Sequence, residues 1–156
     1  MFTGLDSILR RLGAAALLLL AGGCAAEREW RDVPLGDVAF EDAWDAVETA
    51  AAVDGFALNL ASSDRGLRVL ETNWRERAMP FRGSVRRRIH AEFDRGEAAG
   101  WNVRFYAEKQ TVTDMAKGFE PEDEDWVEDG QDADLEERIA AKLMLKFHGS
   151  LSGAGQ

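Results

Sequence analysis

The sequence has 156 residues, of which 46% are hydrophobic, and its 19 basic and 29 acidic residues give a formal net charge of −10. This length allows one domain of modest size, and five tryptophans and eight phenylalanines exclude a generally disordered chain. Because binding to phosphate groups requires an excess of positive charge, no nucleic acid is expected as a partner.

An uncharged run follows two arginines near the start of the chain. Arg10 and Arg11 precede residues 12–23, in which four consecutive leucines at 17–20 form the most apolar part. A helix of a dozen residues rises about 18 Å, which is too short to cross a hydrocarbon core of ~30 Å. The pattern therefore predicts an export signal peptide over residues 1–23 rather than a transmembrane helix.

The only cysteine comes directly after this run, and one cysteine cannot form an internal disulfide. The signal ends with the residues Leu20-Ala21-Gly22-Gly23, and Cys24 follows. This ending resembles the lipobox of bacterial lipoproteins, in which small residues precede a cysteine that is lipidated and becomes the first residue after cleavage. The resemblance implies a membrane anchor of acyl chains on Cys24, and Ala25 in place of aspartate implies the periplasmic side of the outer membrane. An ordinary signal peptide followed by an incidental buried cysteine is the alternative.

Residues 24–32 are predicted to form a lipidated tether, residues 33–149 an α+β periplasmic domain and residues 150–156 a flexible tail. The clearest element is an amphipathic helix over Phe40–Val53. Its apolar residues recur at three- and four-residue steps, and acidic residues take the opposite face. We expect Trp44 on this helix and Phe56 just after it to pack against a sheet.

Four strands are predicted to follow this helix. Alternating apolar residues indicate strands at Phe56–Ala61, at Val85–Asp94 and from Trp101 to about Val112. A fourth segment, Leu67–Trp74, is rich in β-forming residues, but the pattern leaves its buried face ambiguous. Short connections at 62–66 and 95–100 favour antiparallel hairpins, and Trp101 and Phe105 are expected to point inward.

An acidic connection over Asp114–Asp132 leads to a second amphipathic helix, which is predicted over Leu135–His148. Asp134 and Glu137 have the spacing of a capping box at its start. Its apolar residues repeat every four positions and form a stripe that could lie on a sheet. The predicted fold class is therefore α+β: an antiparallel sheet of about four strands, with an N-terminal and a C-terminal helix packed on one face.

Four short motifs lie within the stretch 40–74. They are Ala43-Trp44-Asp45-Ala46-Val47, Gly55-Phe56, Asp64-Arg65-Gly66 and Thr72-Asn73-Trp74. In this order they resemble the helix, strand, turn and strand of BamC-like lipoproteins, a family of small envelope proteins with a helix-grip fold. The resemblance is confined to this stretch, and it implies a fold rather than any binding residue.

Seven arginines lie between Trp74 and Gly96 of this acidic chain, at positions 75, 77, 82, 86, 87, 88 and 95. One interpretation is a basic edge that meets anionic headgroups, phosphates or an acidic partner, with Arg82, Arg86 and Arg88 as the contact residues. The other interpretation is a solvated strand face whose charge is balanced by the protein's own acidic residues.

The acidic connection also invites a calcium hypothesis, because Asp125, Asp129, Gly130 and Glu136 match four positions of a calcium-binding loop. Val127 stands where another side-chain ligand belongs, so a solvated acidic loop is the favoured interpretation. His90 is expected to be an exposed strand residue. No metal or other cofactor is expected.

No motif typical of catalysis is present, since the sequence lacks a Gly-x-Ser-x-Gly elbow, a phosphate-binding loop and a His-Glu-x-x-His pair. The sequence-based hypothesis is a membrane-anchored, non-enzymatic binding or envelope-assembly module with an envelope protein as partner. The alternative is a small-ligand or lipid-binding domain with a cavity between sheet and helix. The first requires an exposed patch or an open strand edge, whereas the second requires an apolar pocket.

Overall fold

The computed structural model describes residues 28–79, 83–96, 100–114, 117 and 120–149. Within these ranges the chain forms one antiparallel sheet of six strands and two α-helices. In chain order the elements are β1 (Arg31–Gly36), α1 (Phe40–Val53), β2 (Val69–Glu71), β3 (Arg75–Met79), β4 (Gly83–Arg95), β5 (Trp101–Val112), a 3-10 helix (Asp123–Asp125), β6 (Val127–Gln131) and α2 (Ala133–His148). The predicted α+β class is confirmed, but the sheet has six strands rather than about four.

Two long strands, β4 and β5, form the centre of the sheet and pair from Ser84↔Val112 to Arg95↔Trp101. The short strands extend this pair on both sides. β1 and β6 lie along the outer side of β5, while β2 and β3 lie along the outer side of β4. Glu29 and Gln131 join the β1 and β6 ends through two hydrogen bonds of 2.8 Å.

Both helices pack on one face of the sheet, because the apolar residues of β4 and β5 alternate and point to that face. The core between helices and sheet is filled by large side chains, with Trp44 and Phe93 stacked at 5.5 Å between ring centroids. The α2 stripe contributes Ile139, which is fully buried. The inward positions predicted for four aromatic residues are confirmed, namely Trp44, Phe56, Trp101 and Phe105.

The sequence patterns do not predict β1, β3 or β6. β1 begins at Arg31, inside the segment assigned to the tether, and it contains Pro34, which a sheet tolerates at an edge strand. The residues of β3 and β6 are almost all exposed. Exposure on both faces removes the apolar alternation by which a strand is recognised in a sequence.

The predicted strand Phe56–Ala61 is wrong in its extent. Only Leu58 pairs, through an isolated bridge to Thr72. The chain turns immediately afterwards, and the amides of Ser62 and Ser63 donate hydrogen bonds back to the carbonyl of Asn59. A local turn thus replaces the second half of the expected strand.

The predicted strand Leu67–Trp74 is shortened to β2, because a turn occupies its first residues. The carboxylate of Asp64 holds that turn by accepting hydrogen bonds from the amides of Gly66 and Leu67 at 2.7 and 3.0 Å. Such side-chain turns at aspartate are common and delay the start of the next strand. β2 therefore begins only at Val69.

α1 spans the predicted residues, whereas α2 begins two residues before its predicted start. Its N-cap is Asp132, whose carboxylate accepts a hydrogen bond from the amide of Leu135 at 3.0 Å. The capping box expected from Asp134 and Glu137 is therefore wrong. Neither helix in the described ranges has the length and apolar content that crossing a membrane requires.

Candidate functional site

The sheet face opposite the helices is rich in charged and aromatic residues, and it is called the polar face below. It is formed by alternate residues of β4 and β5, which are Ser84, Arg86, Arg88, His90, Glu92, Asn102, Arg104, Tyr106, Glu108 and Gln110. Three tryptophans from segments beside the strands, Trp30, Trp74 and Trp126, make ring contacts with these side chains. Their rings lie against the guanidinium groups of Arg86, Arg88 and Arg104.

Arg86 lies between two of these rings. Its guanidinium carbon is 4.6 Å from the ring centroids of both Trp74 and Trp126. The guanidinium also donates hydrogen bonds to Gln110 at 2.7 Å and to Asp123 at 3.1 Å. Each cation–π contact of this kind contributes about 0.5–2 kcal/mol. The charge of Arg86 is therefore held within the protein, and only 11% of its side chain is exposed.

Arg88 is paired with two carboxylates. Its Nε donates to Glu108 at 2.8 Å and its Nη1 to Glu71 at 3.0 Å, and the ring of Trp74 covers the guanidinium at 4.6 Å. The two glutamates are mostly buried, with 7% and 16% of their side chains exposed. This arrangement fixes the planar guanidinium through both of its hydrogen-bonding edges.

The end of the polar face near the N-terminal segment is an aromatic cluster. His90 and Tyr106 stack with 5.3 Å between ring centroids, and the edge of Trp30 meets both. Arg28 donates a hydrogen bond to the Tyr106 hydroxyl at 3.1 Å. Burial raises the pKa of this hydroxyl above its ordinary value, and the opposing effect of Arg28 is smaller.

His90 is half-buried rather than exposed, so the sequence-based expectation is wrong for this residue. Its two ring nitrogens lie 3.4 and 3.3 Å from carboxylate oxygens of Glu71 and Glu92. Burial raises the pKa of Glu92, but hydrogen bonds with Arg104 and His90 outweigh it and bring the pKa below its ordinary value. The acids of the polar face are thus engaged with its own cations.

The anionic-surface contact assigned to Arg82, Arg86 and Arg88 stays a prediction. Arg82 lies outside the described residues. Arg86 and Arg88 share one face, but both are already paired with protein carboxylates. A contact with headgroups would require each of them to exchange a carboxylate of the protein for a phosphate of the lipid.

The other arginines of the run point to the opposite side of the sheet, because successive residues of a strand alternate between its faces. Arg75 of β3 is paired in register with Arg87 of β4, and Arg77 follows two residues later. Among the described residues β3 pairs only with β4, so its outer edge has no strand partner. The side chains of β3 from Arg75 to Ala78 are exposed.

A cleft lies where this edge meets the start of α2, and it is called the arginine cleft below. It encloses about 240 Å³ beside the ring of Phe56. Four arginines and two aspartates line it, which are Arg75, Arg77, Arg87, Arg138, Asp132 and Asp134. The lining therefore has an excess of positive charge in a protein that is acidic as a whole.

Two of the four cleft arginines are neutralised by carboxylates. Arg87 pairs with Asp132, and Arg138 lies 3.5 Å from a carboxylate oxygen of Asp54. Among the described residues, the side chain of Arg75 donates only to the backbone carbonyl of Asp54. Within the described part of the chain, the side chain of Arg77 makes no hydrogen bond or ion pair. Arg75 and Arg77 thus present two cationic groups that form no ion pair with a carboxylate of these ranges, although Asp134 also lines the cleft.

The acidic residues considered for calcium have separate partners. Asp125 pairs with Lys117, and Asp129 pairs with Lys109 at 2.9 Å. Glu136 is buried and accepts a hydrogen bond from the amide of Ala107 at 2.9 Å. In the ranges that the structure describes, no three histidine, cysteine or acidic side chains are grouped so that they could hold a metal ion.

The lipidation site predicted at Cys24 lies outside the described residues. Comparison of the chain with protein-family models and with curated proteins finds no match.

Proposed function

We propose that this protein is a membrane-anchored periplasmic lipoprotein whose folded domain is a non-enzymatic binding module for an envelope protein. The cationic outer edge of β3, which has no strand partner among the described residues, carries the binding half of the proposal, since an unpaired strand edge offers backbone groups to an extended segment of a partner. The lipobox-like sequence that ends at Cys24 supports the anchor. The proposed location of the protein on the outer membrane rests on Ala25, which stands after the cysteine in place of aspartate.

The position of Arg28 supports a domain held close to the anchored cysteine. Arg28 is fixed on the polar face by its hydrogen bond to Tyr106. Three residues lie between Cys24 and Arg28, and the four residue-to-residue steps span at most about 14 Å when fully extended. A lipid on Cys24 would therefore keep the Tyr106 end of the polar face near the bilayer.

The interior of the domain favours a surface partner over an enclosed ligand. Trp44, Phe105 and Ile139 fill the space between helices and sheet, and each is at most 1% exposed. A lipid-binding domain would need apolar space at this position. We therefore place the partner on the outer edge of β3 rather than in the core.

Site-specific photo-crosslinking in intact bacteria tests the binding role. A photoreactive amino acid at Ala78, which is exposed on β3, is expected to form an adduct with a discrete envelope protein. The same amino acid at Thr49, exposed on α1, serves as the matched control and is expected to give no such adduct. Mass spectrometry of the purified adduct identifies the partner. A photoreactive amino acid placed in the contact segment of that partner should then form a crosslink to β3.

Equal labelling at Ala78 and Thr49 would contradict the proposal, because it would mean that the strand edge is no more occupied than an ordinary helix surface. Absence of any adduct at Ala78 in cells with normal amounts of the protein would contradict it as well.

A further inference from the structure

We infer that the arginine cleft binds a carboxylate group carried on a short apolar stem, such as the side chain of a glutamate or a small free organic acid. The inference rests on the proposed binding role, and it names the chemistry that the β3 edge recognises. Its basis is the pair of unneutralised guanidinium groups, Arg75 and Arg77, on the wall of one cleft.

The geometry of the two groups fits an oxyanion. Arg75 and Arg77 are two residues apart on one strand, so their side chains leave the same face of the sheet side by side. A guanidinium offers a planar fork of donors that matches the two oxygens of a carboxylate, and such charged pairs are stronger than neutral hydrogen bonds. Arg87 and Arg138 are occupied by their own carboxylate partners, so Arg75 and Arg77 remain to bind the oxyanion.

The lining favours a carboxylate on an apolar stem over inorganic phosphate, because the ring of Phe56 offers an apolar contact that phosphate has no carbon atoms to make. Asp132 and Asp134 also line the cleft, and a second negative charge on the ligand doubles their repulsion as well as the attraction of the arginines, so charge alone does not select between the two anions. The volume of about 240 Å³ is below the ~300–1,000 Å³ of pockets for drug-sized ligands. A group of few atoms therefore fits.

Phe56 provides the contact for the stem. Its ring lines the cleft, and the guanidinium carbon of Arg75 lies 5.6 Å from the ring centroid. An acid with one or two methylene groups can place those carbons on the ring while its oxygens reach the arginines. A peptide added along β3 directs alternate side chains toward this same face, so an acidic residue of such a peptide would reach the cleft.

Isothermal titration calorimetry of the full-length gene product, purified from the fraction in which it is found, tests the inference. The titrants are glutarate, the peptide acetyl-Gly-Glu-Glu-Gly-amide and inorganic phosphate at constant ionic strength. Saturable binding of glutarate or of the peptide is expected, with weaker binding of phosphate. Tighter binding of the peptide than of glutarate would identify a protein segment as the source, and the reverse order would identify a free acid.

Matched arginine variants locate the site. Arg77→Gln is expected to weaken carboxylate binding about tenfold or more, because it removes one charged fork and keeps a polar side chain of similar reach. Arg65→Gln is the control, since Arg65 is an exposed arginine on another surface that pairs with Asp45. It should leave the dissociation constant unchanged.

Three results would overturn the inference: no saturable binding of either carboxylate, unchanged binding in Arg77→Gln, or phosphate binding as tightly as the carboxylates. If the crosslink from Ala78 is nevertheless observed, only the carboxylate assignment fails and the binding role stands. If carboxylates bind at Arg77 but Ala78 gives no adduct, the proposal of an envelope-protein partner is wrong and the inference of a carboxylate site in the cleft is kept.

Discussion

Replacing Trp44 by alanine is expected to lower the free energy of unfolding by about 3–5 kcal/mol. The side chain is 1% exposed and stacks on Phe93, with an angle of 22° between the ring planes. Phe40 meets the same ring edge-on, at 6.0 Å between centroids. Because these neighbours belong to a helix and to the central strand β4, they cannot close the space that the lost indole leaves. Urea denaturation followed by circular dichroism measures the change.

Two further variants separate packing from other effects of the substitution. Trp44→Phe retains a ring against Phe93, and within the described residues the indole N–H of Trp44 has no hydrogen-bond partner to lose. This variant should therefore lose much less stability than Trp44→Ala. Thr49→Ala on the exposed side of the same helix should be nearly neutral. A loss below about 1 kcal/mol in Trp44→Ala would contradict the assignment of this residue to the core.

Replacing Arg88 by methionine is expected to cost about 3 kcal/mol, at the lower end of the range for breaking a buried ion pair. Methionine keeps an apolar stem under the ring of Trp74, so the main loss is the charge. Glu71 and Glu108 would then lie on the polar face without the cation that pairs with both. Because both side chains are mostly buried, water cannot fully replace that cation. The partial exposure of Arg88, at 30% of its side chain, places the expected cost at that lower end.

Arg104→Met is the matched control for this change. Arg104 also pairs with a glutamate of the polar face, Glu92, but 46% of its side chain is exposed. Exposed pairs of this kind contribute about 0–1 kcal/mol. The same denaturation experiment measures both variants. Equal losses of unfolding free energy in Arg88→Met and Arg104→Met would contradict the prediction, because they would mean that burial does not strengthen the ion pairs of Arg88.

The parts of the fold that were predicted from the sequence are those with a strong apolar period. The limits of α1 and β5 agree with the prediction, because Phe40–Val53 has a clear helical stripe and Trp101–Val112 alternates. The edge strands β3 and β6 carry charged residues on both sides, so no period marks them. Their pairing depends on the neighbouring strands, β4 and β5, rather than on their own sequence.

The candidate site was found only in part for a related reason. The composition of the arginine run predicts one basic edge, but residues at odd and even positions of a strand point to opposite faces. Arg86 and Arg88 therefore join the polar face, while Arg87 faces the arginine cleft with Arg75 and Arg77. The alternation within 86–88 was visible in the sequence. The sequence does not show that Arg75 and Arg77 line the same cleft, because their position depends on the pairing of β3 with β4.

The pairing of charges also required the structure. The sequence indicates that an acidic protein can neutralise its own arginines, but it does not say which arginines are neutralised. The structure places Glu71 and Glu108 beside Arg88, whereas Arg75 and Arg77 form no ion pair in the described ranges. Arg88 is paired because acidic residues from two different strands lie beside it, and the sequence does not show which strands are neighbours.

The mass of the N-terminal peptide of the mature protein tests the central proposal of a lipid-anchored module most directly. The protein is extracted from the membranes of the expressing bacterium and digested, and the peptide that begins at residue 24 is analysed by mass spectrometry. We expect Cys24 at the N-terminus with a diacylglyceryl group on its sulfur. The variant Cys24→Ser should lack the lipid and move from the membrane to the soluble periplasmic fraction, because stable anchoring requires the two acyl chains. A wild-type protein that is soluble and has an unmodified Cys24 would contradict the account.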